Sequence, residues 1–119
     1  MESIKIIVRD SVATVFNSVD LVSGTSGLKC EFTFNSPWKN LIKNVIFRAG
    51  NTTKTILDVK DDRVEVPKIV LEEVGALLEI GVEGISISGK TEISSIFAVA
   101  GRIRKGADSD DVPEGSETW

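Results

Sequence analysis

Apolar residues fall on alternate positions through most of this chain. Ile4, Ile6 and Val8 open the pattern, and V-A-T-V-F resumes it after the polar step Arg9-Asp10-Ser11, which predicts a strand or a pair of strands at the start. S-V-D-L-V-S-G-T-S-G then interrupts it with Gly24, Gly27 and small hydroxyls, the composition of a loop. Leu28, Cys30, Phe32 and Phe34 share one face of the next strand and Lys29, Glu31 and Thr33 the other, up to a stop at N-S-P-W. After Pro37, the residues Trp38, Leu41, Ile42 and Val45 also satisfy helical spacing, but V-I-F prefers a strand. The stretch therefore divides into a turn or short bend over 36–41 and a strand over 43–48. Gly50-Asn51 turns the chain into a partner strand, T-K-T-I-L-D-V, and Lys60-Asp61-Asp62 is the next turn.

A short strand over 63–66 points Val64 and Val66 inward. Pro67 has no amide proton and a fixed φ, which suits the first position of a helix, and Val70, Leu71 and Val74 follow at helical spacing. Gly75 is placed to end that turn in a left-handed conformation. A strand over 77–82 follows, Gly84 marks a bulge or turn, and I-S-I-S-G-K-T-E-I-S-S-I-F reads as a hairpin with Gly89-Lys90 near its tip. A last strand over 97–103 completes the series. Short strands at roughly ten-residue spacing predict an all-β fold: an immunoglobulin-like antiparallel β-sandwich with one short helical turn near 67–75.

The sandwich is expected to occupy 1–107 as a single domain. Beyond it, 108–119 carries Asp108, Asp110, Asp111, Glu114 and Glu117 with no basic residue, and reads as a flexible acidic tail. The sharper reading makes it a docking peptide, with Asp108, Asp110, Asp111, Val112 and Pro113 as partner contacts and Trp119 as the apolar anchor. Just before it, Arg102, Arg104 and Lys105 form a small basic cluster that edge-strand protection explains as well as a ligand does.

Composition changes the picture mainly by exclusion. A chain of 119 residues with 41% hydrophobic residues builds one ordinary core. Its net charge of −4 supplies no field to gather phosphate backbone, so no nucleic-acid partner is expected. The apolar run after Met1 is too short for a signal-peptide core, and no run approaches a bilayer span, so no membrane partner is expected either. There is no histidine, which removes the commonest general base and the commonest metal ligand together. The single Cys30 builds neither an internal disulfide nor a zinc site and reads as a core or half-buried strand residue rather than a reactive thiol. The adjacent pairs Asp61-Asp62 and Glu72-Glu73 point in different directions along a turn or helix and read as solvated surface. No cofactor, no metal and no enzyme activity are expected. Trp38, at a strand-to-strand corner, reads first as a plug for one end of the core. The alternative is a sugar-stacking platform with Asn35, Asn40 and Asn44 beside it, in a glycan-binding or adhesive module.

With these residues in place, an ordered series of motifs stands out. F-x-F-x-x-x-W-x-x-L-x-x-x-x-x-F-R-A-G, R-V-x-V-P-x-x-V-L, L-x-I-G-V-x-G and I-S-S-I-F-A-V-A-G-x-I-x-x-G-A follow one another from Phe32 onward. The series resembles the N-terminal β-sandwich anchoring domain of head-fibre, tail and baseplate structural proteins of tailed phages and prophages of Gram-positive bacteria. Trp38, Arg48, Arg63, Pro67, Gly81 and Gly84 are its signature positions. The resemblance implies a non-enzymatic virion component, made in the bacterial host cytoplasm, that docks on capsid, portal or baseplate proteins. It also implies a homo-oligomer, often a trimer in such appendages. Members usually continue past an acidic, proline-containing tail into a fibre, a coiled coil or a receptor-reading region, so the resemblance implies an anchor without its fibre.

Overall fold

The computed structural model describes residues 2–107, so the docking contacts expected of Asp108, Asp110, Asp111, Val112, Pro113 and Trp119 lie outside the described residues. Nine strands form two packed sheets: β1 (Ile4–Arg9), β2 (Val12–Val15), β3 (Lys29–Phe34), β4 (Ile42–Ala49), β5 (Thr52–Ile56), β6 (Arg63–Glu65), β7 (Leu77–Ile85), β8 (Thr91–Ser94) and β9 (Ala98–Arg102). One sheet has the order β2-β1-β3-β6. The other has the order β5-β4-β7, and the far edge of β7 is divided between β9, opposite Leu77–Ile80, and β8, opposite Glu83–Ile85. In the gap between them, the Val82 amide donates to Ser95 Oγ at 2.9 Å and the Ser95 amide donates to the Val82 carbonyl at 2.8 Å, so the β7 backbone stays satisfied.

The all-β sandwich predicted from alternation is present, and each predicted strand has a counterpart. Three details differ. β1 pairs with β3 in parallel, Ile4 opposite Cys30 through Val8 opposite Phe34, so the first sheet is mixed rather than purely antiparallel. The helical turn near 67–75 is a single 3-10 turn, Val70–Glu72, which buries Val70 and Leu71 but leaves Val74 49% exposed. The helical spacing that included Val74 fails because the segment spans a sheet-to-sheet crossing with room for only one turn. The strand after Gly50 ends at Ile56, and Leu57 beyond it is 70% exposed. Gly75 takes φ +88°, the left-handed turn expected of it, and the β7–β8 register shifts at Gly84/Ile85, where a bulge was predicted.

The core lies between the sheets and is lined by the alternate residues that the pattern points inward. Ile4, Ile6 and Val8 meet Cys30 and Phe32 from one sheet, and Val45, Phe47, Leu78, Ile80 and Val82 close over them from the other. Two 3-10 turns plug opposite poles. The first, Ser36–Trp38, follows the end of β3; the second follows β6, which is antiparallel to β3, and so closes the other pole with Val70 and Leu71. β1 begins and β9 ends at this second pole, so the described chain enters and leaves by one end of the sandwich. There the loop before β3 is stitched to the residues after β9. The Arg104 amide donates to the Leu21 carbonyl, the Ser23 amide to the Arg104 carbonyl, each at 2.8 Å, and the Gly106 amide to Ser23 Oγ at 2.9 Å. Leu21, assigned to a loop by composition, is 2% exposed because of this stitch.

Candidate functional site: the signature residues and the outer sheet face

The six signature positions do not converge on one cleft. Two clusters form on opposite faces of β7, and the remaining two positions lie outside both.

The first cluster is internal. Trp38 is carried over the end of the core by the turn that Pro37 starts, and its indole is fully buried. Its Nε1–H donates to the Asp10 carbonyl at 2.8 Å, which satisfies the one polar atom the burial would otherwise strand. Phe34 packs beside it with ring centroids 5.2 Å apart. Gly84 lies directly beneath. A Cβ there would sit 3.0 Å from Trp38 Cζ3, 2.7 Å from Leu41 Cδ1 and 2.9 Å from Ile93 Cγ2, so this position admits no side chain while the indole stays in place.

The second cluster faces out. Gly81, three residues earlier and on the other face of β7, leaves room for the Phe97 ring, whose nearest carbon would be 3.2 Å from an added Cβ. The Arg48 guanidinium stacks on that ring, 3.7 Å from its centroid, while Nε–H donates to Glu79 Oε1 at 2.8 Å. The stack is a cation–π contact closed by an ion pair. Below it on the same face, Asn44 Nδ2 donates to Glu83 Oε1 at 3.1 Å and Asn44 Oδ1 accepts from the Asp58 amide at 2.9 Å. Around these pairs the face is apolar, with Ile42, Ile46, Leu77, Ile85 and Val99. The period-two pattern predicts polar residues here. A signal for the exception exists in the sequence: Val45-Ile46-Phe47 is apolar without alternation, as in a strand covered on both faces.

Arg63 and Pro67 belong to neither cluster. Arg63 is exposed on β6 opposite Glu31, and the Pro67 carbonyl accepts from the Val70 amide at 3.1 Å to open the second 3-10 turn.

Other sequence candidates resolve into structural roles. A sugar platform on Trp38 is corrected by its burial, and Asn44, 8% exposed, is committed to Glu83 and Asp58. The open hollow of about 270 Å³ beside Trp38 is lined by Phe34, Asn35 and Asn40, not by Asn44, and offers no exposed indole face. Glu73 is not half of an acid pair: its carboxylate accepts from Thr52 Oγ1 at 2.8 Å and from the Asn51 amide, capping the β4–β5 turn. Asp62 lies 3.7 Å from Lys43 Nζ. In the basic cluster, Arg102 donates to the Gly75 carbonyl and Arg104 pairs with Asp20 at 3.1 Å. Cys30 is buried, and desolvation pushes its thiol from 9.0 up to about 12, which makes it a poor nucleophile. Among the described residues, no group of three His, Cys, Asp or Glu could hold a metal ion, and no helix is long and apolar enough to cross a membrane.

No family model, no curated protein and no solved structure matches this chain.

Proposed function

We propose that this protein is a non-enzymatic structural module of a tailed-phage or prophage virion, an anchor that docks through protein–protein contacts at a head-fibre, tail or baseplate position. The single observation that carries the reading is the ordered motif series from Phe32 to Ala107. The geometry of its residues is in keeping with it. Four of the six signature side chains or glycines organise the two faces of one central strand, which is what a rigid anchoring frame requires. The partners are capsid, portal or baseplate proteins, reached by a sheet face or strand edge that buries on the order of 1,200 Å² or more in total. Mass spectrometry of washed, density-purified virions is the test. The protein is expected there at a copy number set by the symmetry of the ring it decorates; its absence from such particles would overturn the proposal.

A further inference from the structure

The two outward faces of the sandwich differ in kind. On the four-stranded sheet, Ile7, Val12 and Phe16 face outward among Lys5, Arg9, Lys29 and Arg63, which outnumber Glu31 and Glu65, so this face carries unbalanced positive charge that repels a copy of itself. The five-stranded sheet turns out Ile42, Ile46, Leu77, Ile85, Phe97 and Val99, of which Ile42 is 38%, Leu77 41% and Val99 50% exposed. Within it, the charges of Arg48 and Glu79 cancel at 2.8 Å. Two charged groups mark its ends along β7: Arg102, opposite Leu77, and Glu83, opposite Asn44. Across β4, β7 and β9, Arg48 and Arg102 balance Glu79 and Glu83, so these four charges sum to zero. An apolar patch whose charges balance, with opposite signs at its two ends, meets a second copy of itself without net repulsion.

From this we infer that the outer face of the five-stranded sheet is a two-fold interface with a second copy of this chain. The axis lies between the facing five-stranded sheets of the two copies and runs across the strands near Ile80. That operation reverses strand direction between copies, so the Arg102 end of one face meets the Glu83 end of the other, twice by symmetry. The Phe97 rings, each beside Gly81 and Arg48, meet near the centre. Four strands abreast and the nine residues of β7 present roughly 600 Å² a side, the lower end for a specific contact. The inference stands on this face alone and does not require the virion reading.

Sedimentation velocity of the whole chain from micromolar to millimolar concentration tests it. A reversible monomer–dimer equilibrium is expected, abolished by Val99→Glu with the melting temperature of the monomer retained. Arg102→Glu and Glu83→Arg should each weaken the dimer about tenfold or more, since each sets like charges opposite one another at two places. The double swap restores opposite signs and should recover most of the loss. A monomer at every concentration overturns the inference, as does self-association indifferent to Val99→Glu. A double swap as weak as the single changes overturns the proposed axis.

Discussion

Gly81 and Gly84 sit three residues apart on one strand, each under an aromatic ring, yet they answer different demands. Gly84 faces the core, where the Trp38 indole, Leu41 and Ile93 fill all the space a side chain would need. Gly81 faces outward, where its missing side chain leaves room for the Phe97 ring that carries Arg48. The inner ring is locked by close packing and one hydrogen bond, the outer by a cation and a carboxylate. The same residue type in one short motif, L-x-I-G-V-x-G, therefore supports folding on one face of the sheet and surface shape on the other.

That contrast is open to direct attack, and the inner side should yield most. Trp38→Ala is expected to cost about 3–5 kcal/mol by denaturant unfolding, because the indole is wholly buried and its pole cannot collapse without moving the turn. A loss below about 1 kcal/mol would mean that the inner cluster is no tighter than the outer.

The interior also has a titration of its own. Native Cys30 keeps its proton to about pH 12, whereas the unfolded chain releases it from about 9.0. The folded value is the raised one, so the stabilisation is complete below pH 9 and is lost as pH climbs from 9 toward 12, by up to about 1.4 kcal/mol per pH unit. Stability curves of the wild type and Cys30→Ala should run parallel below pH 9 and converge above it. Parallel curves throughout would show that the thiol is not in the dry interior.

Of the two glycines, Gly84→Ala should destabilise by about 1–3 kcal/mol, since an added methyl meets three packed side chains at once. Gly81→Ala should cost less than about 1 kcal/mol, because the half-exposed Phe97 ring can give way. Equal costs would erase the distinction between the faces. Smallest of all is Arg48→Met, expected within about 1 kcal/mol because the guanidinium and its carboxylate partner are both solvated. A larger effect would place the outer stack among the determinants of folding.

Most of the strand framework was legible because each strand carries its own two-residue signature. Leu28, Cys30, Phe32 and Phe34 name their inner face wherever the strand ends up. What alternation does not contain is the partner: nothing in I-K-I-I-V-R says that Ile6 pairs alongside Phe32 in parallel, because that register is set between segments more than twenty residues apart. Leu21 was lost for the same reason, since its burial depends on a stitch to Arg104 across the whole chain. Trp38 as a plug could be read from Pro37 and the strand that ends before it. The outer cluster could not: Arg48, Glu79 and Phe97 come from three strands or connections, and only their meeting over Gly81 gives them a common role.

Because the described residues enter at β1 and depart after β9 by the same pole, the opposite pole, made of the Trp38 turn, the Asp10-Ser11 turn and the Ser86–Lys90 tip, is free of both of their ends. The module can thus be spliced into a surface loop of a host protein as a side-mounted knob, or permuted with new termini cut at the exposed Ser88-Gly89 tip, without severing any strand that holds the two sheets together.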